Sequence, residues 1–109
     1  MTVKDAAAGK TTAIIAYCTL IGTLIALFMN LETKNDFARF HIRQAFGIHL
    51  LFWLLGYVVG NFDSLMVSTA FWLGIFVLWL YGFIGAVQEK ENQIPVIGEY
   101  FQRWFTFIK

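Results

Sequence analysis

Two stretches of this chain carry no charged residue over a length that would cross a lipid bilayer, and no other feature restricts its fold as strongly. Thr12–Met29 runs for 18 residues and Leu65–Val87 for 23. As helices rising 1.5 Å per residue they would reach about 27 Å and about 35 Å, against a hydrocarbon core of about 30 Å. A third run, Ala45–Gly60, is apolar apart from His49. It is short alone. Extending its helix back to Phe37 gives a full crossing and draws His41, Arg43 and Gln44 onto it, with Asn35 or Asp36 as the capping residue. Lipid offers backbone groups no hydrogen-bond partners, so such spans must be helical. The expectation is an all-α membrane protein forming a single membrane domain, 1–109. Its transmembrane helices are 12–30, 37–60 and 65–87, followed by an interfacial amphipathic helix, 95–109.

Composition agrees. Apolar residues make up 59% and charged residues 14%, where a soluble domain averages about 45–50% and about 25%. So few charges would not coat a water-facing surface. The net charge of +1 provides no basic field for nucleic acid, so no nucleic-acid partner is expected. A single cysteine, Cys18, excludes an internal disulfide and a multi-cysteine metal site. The first apolar run exceeds the 7–15 residues or so of a signal-peptide core, and no small-x-small cleavage site follows it. With three spans, Lys4 and Lys10 fall on one side. Lys34, Arg39, Arg43, Lys90, Arg103 and Lys109 fall on the other. The excess of basic residues marks the second side as cytoplasmic, which puts the N-terminus out and the C-terminus in.

Polar groups entering a membrane need partners. On a helix, Phe37, His41, Gln44 and Ile48 share a face, and His41 and Gln44 read as groups that hydrogen-bond another helix. Arg39 and Arg43, four apart, read as an interfacial pair reaching for lipid headgroups. His49 lies eight residues beyond His41, about 12 Å along the axis, which is too far for the two to share a metal ion bound at about 2 Å. No metal or other cofactor is expected. A neighbouring helix is the simpler partner for His49, with a proton relay through both imidazoles as the alternative. Small residues mark close packing: the GxxxG pair Gly56 and Gly60, the Cys18–Gly22–Ala26 series, and Gly74 with Gly82. In the tail, Ile97, Tyr100, Phe101, Trp104, Phe105 and Ile108 recur at helical spacing, opposite Glu99, Gln102 and Arg103. That pattern places Phe101, Trp104 and Ile108 in the membrane interface with Arg103 above them, or makes the tail a docking surface. No phosphate-binding glycine loop, carboxylate pair or nucleophile–base arrangement is present, so no enzyme activity is expected.

The string Phe40-His41-Ile42-Arg43-Gln44-Ala45 resembles the F-H-x-R-Q-A string of small bacterial membrane proteins grouped with the import component of the chloroplast Tic complex. The later Pro95-Val96-Ile97-Gly98 is similar to the P-x-x-G that follows their last helix. The resemblance runs from Thr11 to about Phe105. Glu89 stands where those proteins often have glycine, and Asp36 where many have proline. The import component has four spans against three here. The resemblance implies a bacterial inner-membrane location and a non-enzymatic accessory or scaffold subunit of a membrane assembly, linked to protein translocation or insertion. Membrane lipids, and another membrane protein or a second copy, would be its partners. The competing expectation is an oligomeric pore or proton-coupled carrier working through His41, Arg43, Gln44 and His49.

Overall fold

A computed structural model describes residues 3–61, 64–95 and 97–108, with side chains from residue 7 onward. The expectations that concern Lys4, Asp63 and Lys109 fall outside the described residues or side chains. Among the described residues every regular element is helical: α1 (Val3–Cys18), α2 (Leu20–Thr33), α3 (Asp36–Val59), α4 (Leu65–Val87) and α5 (Gly98–Trp104). They form a body 48 Å long and 22 Å across.

The first apolar run does not make one span. It breaks at Thr19, whose extended backbone (φ −156°) separates α1 from α2. Thr19 caps the new helix, its Oγ1 accepting from the Gly22 N–H at 3.0 Å. The chain then turns back along α1, so that Thr23 lies against Ala16 and the α1 residue Gly9 lies against Asn35 and Ala38. Gly22 permits the turn, because a Cβ there would overlap the Ile15 carbonyl oxygen. Small residues line the seam, with Ala13, Ala16 and Ala26 fully buried. The three-span expectation is therefore corrected. Two helices, α3 and α4, are long and apolar enough to cross a membrane, while α2 is shorter.

The reversal also brings the two ends of the described chain to the same end of the helical body, where three full crossings would have set them at opposite ends. The start of α1 lies beside the start of α3, at the end where α4 finishes and the tail begins. Lys10, Lys34, Arg39, Arg43, Lys90 and Arg103 all belong to segments at this end, and no lysine or arginine lies between Arg43 and Lys90.

Asn35 caps α3, its Oδ1 accepting from the Ala38 N–H at 2.9 Å. Ser64 caps α4 in the same way. The α1–α2 turn reaches only to the level of His49, about 20 Å up a helix some 36 Å long. Beyond it α3 and α4 continue as a bare pair, with Trp53, Leu54, Tyr57, Leu65 and Met66 exposed.

The tail differs from expectation too. Its helix is seven residues long, and it packs on α3 instead of presenting its whole apolar face outward. Phe101 covers Gly47, where any side chain would overlap the ring, and Ile108 lies in the main core. Trp104 does remain exposed, and Arg103 pairs loosely with Glu99 at 3.7 Å on the surface.

Candidate functional site

The first turns of α3 carry a cluster of polar side chains, His41, Arg43 and Gln44, each of which is hydrogen-bonded. The His41 Nε2–H donates to the Lys90 carbonyl at 2.8 Å. A carbonyl only accepts, so this bond fixes the neutral tautomer, and Nδ1 accepts from the Tyr17 hydroxyl at 2.7 Å. The Tyr17 oxygen in turn accepts from Gln44 Nε2–H at 3.0 Å. Gln44 uses both amide protons and its oxygen: Nε2 also donates to the Asn92 carbonyl at 3.0 Å, and Oε1 accepts from the Ile94 N–H at 2.8 Å. His41 and Gln44 are completely buried, and the Phe37 and Phe40 rings stand edge-on to the imidazole at 4.7 and 5.0 Å.

Arg43 points to the other side of the same turns. Its Nε and one terminal nitrogen both donate to the Ile108 carbonyl, at 3.1 and 2.8 Å. The Phe40 carbonyl accepts from Gln102 Nε2 at 2.8 Å. Each polar member of the Phe40–Gln44 string therefore holds backbone or side-chain groups of the segment after α4. The expectation that Arg43 reaches for headgroups is replaced by this intramolecular bond. Arg39 pairs with Asp36 at the surface.

Glycines make the arrangement possible. A Cβ on Gly82 would come within 2.9 Å of the Tyr17 ring and hydroxyl, and one on Gly98 within 3.1 Å of Gln44 Oε1. Of the GxxxG pair, Gly56 faces Trp72 of α4, while Gly60 is exposed at the end of α3. Gly74 faces open space.

His49 belongs to a second site. Its Nδ1 lies 2.9 Å from Thr23 Oγ1, which also lies 2.7 Å from the Ala16 carbonyl. The Tyr17 carbonyl accepts from Trp79 Nε1–H at 2.7 Å. Two of the carbonyls left open where α1 ends, those of Ala16 and Tyr17, are thus satisfied by side chains of α2 and α4. Between this turn and α3–α4 lies a cavity of about 430 Å³ bounded by Cys18, His49, Phe52, Trp72, Phe76 and Trp79, among others. The two histidines have separate partners, and no cluster of three or more metal-binding side chains occurs among the described residues.

Sequence reasoning missed Tyr17, Thr23 and Asn92. Tyr17 and Thr23 were available as hydrogen-bonding groups inside a charge-free run, where each needs a partner. Asn92 contributes through its backbone, which no side-chain pattern reports.

Compared with known proteins, the chain is similar to a UPF0132 membrane protein of Methanocaldococcus jannaschii, at 31% identity over 86 residues, covering 76% of this chain and 61% of that protein. The chain thus spans about three fifths of the length of the curated relative it matches. No family model and no solved structure matches it. The relative is a membrane protein, and its name gives no activity. The match carries neither the import-component name nor a bacterial source.

Proposed function

We propose that this chain is a small non-enzymatic membrane scaffold, an accessory subunit that presents α3 and α4 to another membrane protein. The observation that carries the proposal is the division of labour along α3. Its polar first turns are engaged in holding the tail, and no buried polar side-chain atom among the described residues lacks a partner. Its second half, with the facing half of α4, exposes large apolar side chains laterally. The similarity to a membrane protein and the two candidate spans support placing these faces in a bilayer. With the basic residues gathered at one end, that end is cytoplasmic, and the described beginning and end of the chain share it. The resemblance of the Phe40–Ala45 string to import-component-like proteins makes translocation or insertion the first setting to examine.

The test is purification of the full chain in mild detergent with identification of co-purifying chains, combined with photo-crosslinkers at Trp53, Leu54 and Leu65. A reproducible membrane-protein partner crosslinked from these positions supports the scaffold. A homo-oligomer that conducts ions in liposomes, and loses conduction on His41→Ala, overturns it in favour of a pore.

A further inference from the structure

We propose that the half-depth hairpin α1–α2 makes this protein a one-sided membrane wedge, which collects in bilayers that are convex on its basic face and promotes that curvature. The first observation is where the hairpin ends. Its turn, at Cys18, Thr19 and Leu20, lines one cavity with His49 and Ile75. From that level α3 runs ten more residues to Val59, and α4 begins ten residues earlier at Leu65. Ten helical residues rise about 15 Å, which is half of a hydrocarbon core of about 30 Å. One leaflet therefore holds four helices and the other holds two. The tail widens the same half, since Phe101 lies on Gly47.

The second observation is the surface that the hairpin presents. No charged residue occurs between Lys10 and Glu32. Ile21 and Phe28 of α2 point outward, 70% and 69% exposed, and so do Leu73 and Val77 of α4. Both helices pack on α1 and α3 and not on each other, so their outward faces look different ways. Annular lipid covers such a belt on all sides at once, which one docked partner does not. A helix with side chains is about 10–12 Å across, so the hairpin adds roughly 160–220 Å² to one leaflet and nothing to the other. Taken as discs, the wide and narrow sections have radii of about 11 and about 8 Å, a taper of about 10° between the leaflet centres. Acyl chains must close the space beside the narrow half, because an unfilled gap forfeits the contacts of its lining. A bilayer convex on the wide side closes it with the least distortion. A partner seated on the bare α3–α4 pair would fill the narrow half, so the wedge is a property of the chain without one.

The wedge rests on the two-span membrane placement given above and not on the scaffold role. The experiment uses the full chain with Cys18→Ala and a fluorophore on Lys90→Cys, reconstituted into phosphatidylcholine vesicles of mixed diameter that carry a lipid dye. Protein per lipid is read on single vesicles, and an impermeant quencher reports which chains hold position 90 outside. We expect protein per lipid to be at least twofold higher in the smallest vesicles than in the largest. In the smallest, position 90 should face outward in most chains. Gly22→Leu, whose side chain would overlap the Ile15 carbonyl oxygen, opens the hairpin and should level the distribution. Thr69→Phe with Ala70→Trp adds bulk at exposed positions of the narrow half, keeps the hairpin and should lower the size preference. This second variant decides the matter if Gly22→Leu does not fold. An undiminished preference in the folded double variant, or in a folded Gly22→Leu protein, overturns the wedge. Equal protein per lipid at all sizes, with Lys10→Cys and Lys34→Cys labelled from one face, overturns the wedge and leaves the placement standing. Labelling of those two positions from opposite faces overturns the placement, and the wedge with it.

Discussion

His41 and Lys90, at opposite ends of the long α3–α4 excursion, are joined by an imidazole N–H donated to a backbone carbonyl at 2.8 Å. That bond sets the protonation of the whole chain of groups behind it, because Nδ1 must then accept from Tyr17.

His41→Leu removes the donor to Lys90 and the acceptor for Tyr17 together. Buried groups left unpaired cost about 1–3 kcal/mol. Thermal unfolding in detergent should therefore show a loss in that range. Tyr17→Phe should cost a similar amount, since it leaves the His41 Nδ1 acceptor and one Gln44 N–H unpaired. The double variant should fall short of the sum, because both changes disrupt the same network. Strict additivity would show that the relay has no energetic existence.

Glu89 occupies the left-handed region at φ 58°, the position where the import-component-like proteins often carry glycine. A non-glycine residue pays about 1–2 kcal/mol there. Glu89→Gly should raise stability by about 0.5–1 kcal/mol after the entropy glycine adds to the unfolded chain. Glu89→Ala, which keeps a Cβ, should give no such gain. Equal melting temperatures for the two variants would count against strain at this residue.

Gly47 and Gly74 offer a matched pair. Alanine at 47 meets the Phe101 ring, whereas alanine at 74 meets nothing within 4 Å. Gly47→Ala should destabilise by about 1–3 kcal/mol through overpacking, and Phe101→Leu should recover part of it. Gly74→Ala should stabilise by about 0.5–1 kcal/mol through helix propensity. A reversed order would mean that the tail does not sit on α3.

Topology separates two spans from three. With Cys18→Ala as background, single cysteines at Lys10, Lys34 and Lys90 should share one labelling pattern toward an impermeant thiol reagent, and a cysteine at Asn61 the opposite one. Opposite patterns at 10 and 34 would restore a full first crossing.

Much of this architecture can be read in the residues themselves. The charge-free run and Ser64 mark α4 at 65–87, and Asn35 marks the start of α3. His41 and Gln44 stand out because an imidazole and an amide in apolar sequence need partners. The division of the first run is harder to read: it contains no proline, and its one glycine, Gly22, sits three residues past the break. Its causes are tertiary, namely a one-residue cap at Thr19, a seam of small residues, and a Trp79 N–H arriving from 62 positions away. The tail's apolar stripe is real, but periodicity does not say whether protein or lipid meets it. The missing side chain at Gly47 decides for protein. Similarly, Arg43 finds a carbonyl 65 positions on, a partner invisible at its own turn.

The one-residue interruption at Thr19 alters what the cell must do to assemble this chain. On the proposed two-span placement, a hairpin that returns at half depth leaves from the face it entered, so none of the lysines and arginines with described side chains would have to traverse the bilayer. On the two-span reading, the only polar stretch to be moved is the short link at 60–64, whose single charge is the acid Asp63. A membrane potential negative inside pulls an acid outward, by about 2.3 kcal/mol per 100 mV. Insertion should accordingly slow when the potential is dissipated, and Asp63→Asn should abolish that sensitivity in a reconstituted insertion assay.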